Sequence, residues 1–410
     1  MKTGVMYERR YDVIVSGAGV AGVAAALACA RKGLHTALVE KTVLVGGLAT
    51  AGLINIYLPL CDGHGHQVIY GIAEELLHLS IRYGPGEIPA VWTESRDEMT
   101  VPERSARYST PFSPAAFVLA LDEVLLEAGV ELWLDTLVCA PMMDGDRVTG
   151  IEVENKTGCG LLLAGCIIDA TGDADIAYRA GAPCVEADNW LSLWAVESSL
   201  ARARRAAADP EGVSLLEMVR VGASATGHGH PVDQPKYSGT EATQVTRFVL
   251  EGRRLLRQHY QDLHAESGGQ GRHQDFPTAL PAMAQFRTTR RIVGLETMTV
   301  EHADRHLPTS VGVIPDWRRR GPVWEFPYGA LVPQKVSGLL VAGRCLSAEG
   351  EAWEIARVIP PAALSGQVAG MVAALAVRRK TQPAGLPLRD IQAAIVEAGL
   401  PLHRSDIMDT

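Results

Sequence analysis

The chain has 410 residues, of which 47% are hydrophobic and 21% are charged, and its formal net charge is -9. This composition is typical of a globular protein long enough for two closely joined domains, and the negative charge argues against a nucleic-acid partner. Seven Cys are scattered without a C-x-x-C pair, which argues against a disulfide framework, a zinc ribbon and a dithiol redox enzyme. We find no apolar run of membrane-spanning length, so we expect a cytoplasmic protein without a membrane partner.

Residues 11–41 predict a strand, a glycine turn, a helix and a second strand. The apolar runs 13–15 and 36–39 are typical of buried parallel strands, and residues 24–31, rich in small side chains, predict a helix that Gly33 ends. This order is the context that the dinucleotide-binding fingerprint requires. A glycine turn in some other α/β protein is the alternative, but the complete pattern favours nucleotide binding.

The turn itself has the spacing G-x-G-x-x-G at Gly17, Gly19 and Gly22. Gly17 permits the tight turn, Gly19 lets the backbone approach a pyrophosphate, and Gly22 lets the helix pack closely on the sheet. The helix N-terminus that follows offers free N–H groups to phosphates. Glu40, at the end of the second strand, is placed to accept hydrogen bonds from a ribose.

Further elements follow in chain order. A second glycine turn at residues 46–50 is expected to run beside the nucleotide. Helices are predicted at residues 69–83, 114–127, 193–208, 244–263 and 361–377, strands at 130–140, 148–153, 161–170 and 338–343, and a linker with one short helix at 383–402.

Eight short motifs carry a resemblance to a known family: residues 17–22, 46–50, 71–76, 168–173, 289–292, 327–329, 340–344 and 366–370. On these the chain resembles the glutathione-reductase-like (two-dinucleotide-binding-domain) flavoproteins, and more closely the FAD-dependent oxidoreductases. The resemblance spans nearly the whole chain and implies one non-covalently bound FAD. It departs at Gly350, where relatives often have a His, so a base at that position is in doubt.

The resemblance implies an α/β fold, in which a Rossmann-like FAD/NAD(P)-binding domain with a central parallel sheet carries an inserted α+β substrate domain. The predicted parts are a discontinuous FAD-binding domain (1–55, 112–184 and 325–380), a substrate or cap domain (56–111 and 185–324) and a C-terminal linker with a short helix (381–410). The residues predicted to contact FAD are Gly17, Gly19, Val20, Ala21, Gly22, Glu40, Lys41, Gly47, Leu48, Ala49, Val138, Ala170, Thr171, Gly172, Gly343, Arg344, Val358, Ile359 and Pro360.

Two features indicate where catalysis takes place. A helix that starts at Pro361 is expected to point its N-terminus at the negative charge of the reduced flavin, with Arg357 beside the ring; a surface salt bridge is the alternative for Arg357. His64, in a loop after the second glycine turn, is our candidate base because a His titrates near neutral pH; a solvated loop histidine is the alternative.

Other candidates are weaker. Arg287, with Arg290 and Arg291, either clamps a carboxylate or phosphate or forms structural ion pairs. Tyr328 either donates a hydrogen bond to the substrate or packs in the core. The His-x-His pairs at 64–66 and 228–230 are a poor metal signature, so we predict no metal site.

Only one G-x-G-x-x-G is present, which favours direct redox chemistry on a small substrate with an unidentified electron acceptor. The predicted reaction moves a hydride between flavin N5 and the CH–OH carbon of a sugar or hydroxy acid. The alternatives are reduction of an activated C=C bond and, in another class, a non-catalytic flavin- or nucleotide-binding protein. A homo-oligomer is compatible with the sequence.

Overall fold

The computed structural model describes residues 4–93, 101–210 and 212–408. The strands are β1 (Tyr7–Ser16), β2 (Thr36–Val39), β3 (Ile56–Tyr57), β4 (Thr110–Pro111), β5 (Glu131–Trp133), β6 (Leu137–Asp144), β7 (Arg147–Asn155), β8 (Gly158–Asp169), β9 (Cys184–Glu186), β10 (Asp188–Asn189), β11 (Ser192–Ser199), β12 (Glu217–Gly222), β13 (Tyr237–Ser238), β14 (Asp275–Ala279), β15 (Arg290–Ile292), β16 (Ser310–Pro315), β17 (Val323–Pro327) and β18 (Leu339–Val341). The α-helices are α1 (Val20–Ala30), α2 (Ile72–Ile81), α3 (Val101–Arg104), α4 (Pro114–Glu127), α5 (Asp175–Arg179), α6 (Leu200–Ala208), α7 (Ala242–Glu266), α8 (Gly350–Ala356), α9 (Ile359–Arg379), α10 (Leu388–Glu397) and α11 (Arg404–Met408).

A mostly parallel sheet forms the centre of the fold. Its strand order is β5-β2-β1-β8-β7-β6, and β18 pairs in parallel with the C-terminal end of β8. The β6–β7–β8 meander is antiparallel. In register, Ser16 lies beside Val39 and Asp169, and Asp169 lies beside Val341. The carboxyl ends of four parallel strands therefore meet at one edge, where ligands bind in open α/β sheets. The predicted α/β class with a central parallel sheet is confirmed.

Helices α1 and α9 pack against each other through small residues. A Cβ on Gly366 or Gly370 would overlap the backbone carbonyl of Ala21 or Ala25, respectively. The expectation that no apolar run has membrane-spanning length was wrong. By length and composition, α9 is long and apolar enough to cross a membrane. However, 94% of its most apolar window is buried inside the fold, and a helix buried on all sides is apolar for that reason alone.

The middle of the chain adds smaller sheets around separate cores. Strand β11 pairs with β12 and β14, and α7 packs on this sheet around Leu193, Val219 and Leu256. The β16–β17 hairpin instead packs into the main core, where Trp324 is fully buried. The predicted domain boundaries remain a prediction; of the segments assigned there, residues 1–3, 94–100, 211 and 409–410 lie outside the described residues.

Three predicted elements need correction, and one further element was not predicted. Residues 130–140 form two strands rather than one, because the chain turns at Asp135, which has a φ of 50°. Residues 193–208 are half strand and half helix, because β11 pairs on both edges and Ser199 then caps α6 through its side chain. Helix α7 extends to Glu266, beyond its predicted end. A further short helix, α11, follows the one predicted in the C-terminal segment.

Candidate functional site

A cavity opens at the carboxyl edge of the parallel strands. It holds about 1100 Å³ of space free of protein atoms, part of which is open to solvent. The residues predicted to contact FAD line this cavity, with the exceptions of Gly22, Val358 and Pro360. Because they come from turns as far apart in the sequence as Gly17 and Ile359, the fold brings the predicted set together in one place.

The first glycine turn has the geometry that its spacing predicts. Gly17 has a φ of 95°, and a Cβ there would lie 2.6 Å from the Ala170 carbonyl oxygen. A Cβ on Gly22 would overlap the Gly17 carbonyl oxygen, so Gly22 serves helix packing rather than the cavity surface. A Cβ on Gly19 would meet nothing within 4 Å, so at Gly19 the bare backbone faces free space in which a ligand fits.

Glu40 is held rigidly at the end of β2. Its side chain accepts hydrogen bonds from Ala18 N at 2.9 Å through Oε2, and from Thr42 N and Thr42 Oγ1 at 2.9 and 3.0 Å through Oε1. A carboxylate oxygen accepts two hydrogen bonds, so Oε2 keeps one acceptor position. Because Glu40 also lines the cavity, that position suits a ribose hydroxyl.

The second glycine turn touches the first one. Gly46 N donates to Ala18 O at 2.7 Å, and Gly19 and Gly46 form an isolated parallel bridge. Gly47 has a φ of 56°, and a Cβ there would lie 2.9 Å from the Gly19 Cα. The two turns therefore form one continuous backbone wall of the cavity.

Asp169 organises the third turn, residues 169–173, from a fully buried position. Its carboxylate accepts hydrogen bonds from Thr171 N, Thr171 Oγ1, Ile176 N and Ala177 N at 2.7–3.1 Å. Burial raises the pKa of Asp169 to about 6, and these hydrogen bonds oppose the rise. Because Ile176 and Ala177 belong to the first turn of α5, one side chain holds the cavity wall and caps a helix.

Arg344 connects the third turn to the inserted segment. Its guanidinium donates to Gly172 O at 2.8 Å, to Phe286 O at 2.7 Å and to Asp173 Oδ1 at 2.6 Å. These contacts occupy its three nitrogen atoms within the protein. Arg344 thus lines the cavity while it positions the turn.

Arg357 is the predicted catalytic residue that lines the cavity. It ends α8 and forms an ion pair with Glu354, one turn earlier in the helix. Its side chain is 13% exposed, so it is not a surface salt bridge. The ion pair with Glu354 therefore lies at the cavity, and the role of Arg357 beside the flavin ring stays a prediction.

Arg287 lies beside Arg357 but does not line the cavity. Burial, and after it the positive charge of Arg357, lowers the pKa of Arg287, whereas Glu354 raises it. The Arg287 guanidinium donates to Ser224 O at 3.0 Å and Ala223 O at 3.2 Å. Of the two arginines, only Arg357 lines the cavity, and its charge acts on Arg287 from there.

The other predicted catalytic side chains lie elsewhere. Tyr328 is buried and its hydroxyl donates to Pro383 O at 2.8 Å, which is the packing alternative; burial also raises its pKa. His64 is on a loop whose conformation is set by the buried Asp62, which accepts from His64 N at 2.7 Å. Neither residue lines the cavity.

The neighbouring arginines show the structural alternative. Arg290 pairs with Glu186 at 3.0 Å, and Arg291 pairs with Glu349 at 3.4 Å. The guanidinium of Arg290 also lies 3.8 Å from the ring centroid of Tyr178. These two arginines are therefore engaged with the fold, and only Arg287 remains as a clamp candidate from this run.

Sequence reasoning missed several lining residues. They include Thr42, Thr136, Asp175, Met283 and Ala362. Ala362 lies within the predicted α9 start and could have been added from that helix. Met283 comes from the inserted segment, which hydrogen bonds to the second glycine turn through Ala282 N and Ala51 O at 2.8 Å. That contact has no signal in the sequence.

The residues present fit FAD. A bare backbone wall beside Gly19, a fixed carboxylate at Glu40 and the N-terminus of α1 match a ribose and a pyrophosphate. The N-terminus of α9, at Ile359 and Ala362, reaches the same cavity. Fold and cavity together thus define a dinucleotide-binding flavoprotein of the Rossmann-like class.

The sequence also matches the family model of the FAD dependent oxidoreductases over residues 12–193 and 193–395. The chain therefore belongs to this family, and it is an FAD-dependent oxidoreductase with FAD as its cofactor. The non-catalytic alternative is set aside, because family membership makes the chain an oxidoreductase.

Two curated relatives match part of the chain. It is 30% identical over 99 residues to a thioredoxin reductase of Ureaplasma parvum serovar 3, which covers 24% of this chain and 29% of that protein. It is 29% identical over 171 residues to a digeranylgeranylglycerophospholipid reductase of Picrophilus torridus, which covers 40% of each protein. The chain thus spans less than half the length of either relative.

Two solved structures resemble the chain along most of its length at low identity. A geranylgeranyl bacteriochlorophyll reductase-like protein from Thermoplasma acidophilum has a TM-score of 0.45 and 15% identity, over 96% of this chain and 83% of that chain. A p-nitrophenol 4-monooxygenase from Pseudomonas putida has a TM-score of 0.48 and 13% identity, over 95% of this chain and 84% of that chain.

Proposed function

We propose that this enzyme exchanges a hydride with a carbon atom of a small carboxylate-bearing substrate, and that the reaction is oxidation of a hydroxy acid at its CH–OH carbon. The observation that carries the proposal is Arg357 in the cavity lining, with Arg287 outside the lining but near enough for the two charges to interact. Guanidinium groups bind carboxylates through paired, charge-assisted hydrogen bonds. A hydroxy acid therefore suits this site better than a neutral sugar.

The charges around the two arginines are unbalanced. Glu354 pairs with Arg357, whereas Arg287 donates to backbone carbonyl groups. Among the residues that the structure describes, two guanidinium groups thus share one carboxylate here. A substrate carboxylate would supply the missing negative charge, and partial burial strengthens that attraction relative to water.

Each group of the site has a distinct part in this reaction. FAD supplies the hydride chemistry when it is bound. The N-terminus of α9 stabilises negative charge that develops beside it, and Arg357 orients the substrate carboxylate. The hydroxyl proton needs a base. His64 remains our proposed base, and its loop must approach the cavity for it to act, since none of the described lining residues is a histidine.

The absence of a histidine among the described lining residues favours a second candidate reaction. Reduction of a C=C bond conjugated to a carboxylate needs a clamp and a proton donor rather than a base, and an Arg can fill either part. Arg357 already lines the cavity in the conformation described, and Arg287 is the second arginine whose charge interacts with it. Under this reaction the His64→Ala variant keeps its turnover, whereas Arg287→Ala loses it.

Anaerobic spectroscopy of the purified holoenzyme tests the first candidate. We expect hydroxy acids to bleach the flavin absorbance band and neutral sugars of similar size to leave it intact. Loss of a charge-assisted contact in Arg357→Ala should raise the substrate Kd at least about tenfold. Arg389→Ala is the matched control, because that side chain is 87% exposed and lies outside the cavity.

Two results would contradict the proposal. One is bleaching by sugars without bleaching by hydroxy acids, and the other is an unchanged Kd in Arg357→Ala. Rapid reoxidation of the dithionite-reduced enzyme by an α,β-unsaturated carboxylate, with no bleaching by any hydroxy acid, would replace the first candidate by the second.

A further inference from the structure

We propose that His306, Glu325 and His403 form a binding site for one divalent transition-metal ion of the zinc type. One ligand atom from each residue lies within 4.8 Å of the other two. Two imidazoles and one carboxylate are a usual ligand set for zinc, with water in the fourth position. None of the three residues lines the FAD cavity, so this site is separate from the proposed reaction.

The distances suit an ion between the side chains. His403 Nδ1 lies 2.9 Å and His306 Nδ1 lies 3.7 Å from Glu325 Oε2. Tetrahedral ligands with metal–ligand bonds of 2.0–2.1 Å are about 3.3 Å apart. The two observed distances lie on either side of this value, so small rotations of the side chains would complete the site.

The carboxylate is oriented before any ion arrives. Glu325 lies on β17 with its side chain only 3% exposed. Leu307 N donates to its Oε2 at 2.6 Å, and Arg404 N donates to its Oε1 at 3.0 Å. Such second-shell hydrogen bonds fix ligating carboxylates in metal sites.

The site is also open to solvent on one side. The His306 side chain is 66% exposed and that of His403 is 20% exposed. Their ring centroids are 4.4 Å apart, so the two imidazoles flank the exposed side of Glu325. The Arg404 side chain is paired with another carboxylate, that of Asp304, at 3.6 Å. An ion can therefore enter from solvent and keep a water ligand.

The three ligands come from separate segments: a loop before β16, the strand β17 and the stretch that leads into α11. A bound ion would thus hold the C-terminal segment on the β16–β17 hairpin. Hydrogen bonds already join the two, since Ser310 Oγ donates to Leu402 O. We expect the ion to stabilise the folded chain in proportion to its concentration over its Kd.

Zinc titration of the metal-stripped holoenzyme tests the site. We expect one Zn²⁺ per chain by calorimetry and mass spectrometry, and a rise in the Tm of the unmodified protein. His306→Ala and His403→Ala should each weaken binding at least about tenfold and abolish the Tm rise. His228→Ala, an exposed histidine of the inserted segment, should bind as the unmodified protein does.

Either of two outcomes would overturn the site. Zinc that binds with the same affinity and stoichiometry in His403→Ala would be held by other groups, such as the free cysteines. Absence of any binding to the unmodified protein would leave a hydrogen-bonded His–Glu–His cluster without an ion. Neither outcome affects the flavin-bleaching experiment, because that experiment reports on a different cavity.

Discussion

At the residue scale, the three glycines of the G-x-G-x-x-G motif have three different structural roles. Gly17 adopts a left-handed conformation, Gly22 lets α1 pack against the turn, and Gly19 leaves space at the cavity surface. The G-x-G-x-x-G motif predicts a separate role for each of these positions. In the structure, a methyl group at each of the three positions would meet different surroundings. A substitution by alanine should therefore have a different effect at each position.

We expect Gly19→Ala and Gly22→Ala to have opposite signatures. Gly22→Ala forces a methyl group into the Gly17 carbonyl and should lower the free energy of unfolding of the apoprotein by about 1–3 kcal/mol or more. The φ and ψ of Gly19 are -64° and 174°, which alanine tolerates. Gly19→Ala should therefore leave the free energy of unfolding of the apoprotein nearly unchanged. Its added methyl group instead projects toward the cavity, so FAD affinity should fall at least about tenfold.

Denaturant unfolding of the apoproteins and fluorescence titration with FAD distinguish the two variants. A loss of stability in Gly19→Ala equal to that in Gly22→Ala would mean that Gly19 is packed and that the ligand lies elsewhere.

At the scale of an element, residues 169–173 join a strand end to a helix start through one buried carboxylate. Asp169 bonds both the turn and the first N–H groups of α5. Because α5 has only five residues, few bonds of its own hold it in place. The folded position of this helix depends on a side chain outside it.

The stability of the chain should depend on pH through Asp169. Burial raises its pKa to about 6 in the folded state, above the ordinary value near 3.9. The contribution of this residue is therefore fully present below about pH 4 and is lost as the pH rises through 6. Relative to Asp169→Asn, the free energy of unfolding should fall by on the order of 3 kcal/mol over this interval.

Urea unfolding of both proteins at pH 4.5, 5.5, 6.5 and 7.5 measures this difference. The Asp169→Asn variant is the reference for the unmodified protein, because the amide at position 169 does not titrate. A stability difference that stays constant across these pH values would show that Asp169 is ionised in the folded state throughout.

At the scale of the whole molecule, the middle of the chain reaches the cavity at the edge of the parallel sheet, where Met283 lines it. Arg344 contacts both parts through Gly172 O and Phe286 O. Its side chain is 10% exposed and pairs with Asp173 at 2.6 Å. Arg344 therefore links the Gly172 turn, which lines the cavity, to the backbone at Phe286.

We expect Arg344→Gln to raise the Kd of FAD at least about tenfold and to lower the Tm of the holoenzyme. Both effects have the same cause, because the Gly172 turn loses its link to Phe286. Arg389→Gln, on an exposed helix face, is the control and should change neither quantity. Equilibrium dialysis with FAD and thermal unfolding give the two measurements, and a normal FAD affinity in Arg344→Gln would show that the turn is stable without this link.

Many of the residues that line the cavity could be predicted from the sequence alone. The fingerprint glycines, Glu40 and the later turns each have local patterns, because tight turns and helix starts demand particular residue types at fixed spacing. The helix predicted at residues 193–208 failed for the opposite reason. There the apolar residues pair with two other strands, and this long-range pairing decides between strand and helix.

What the sequence determined by itself is therefore the nucleotide-binding half-site and the α/β class, since both depend on local backbone geometry and short-range periodicity. Only the tertiary structure decided that Arg287 stands beside Arg357, that Tyr328 is bonded away from the cavity, and that His306, Glu325 and His403 meet. Such contacts depend on how segments that are distant in the sequence pack together. They leave no regular residue spacing from which they could be predicted.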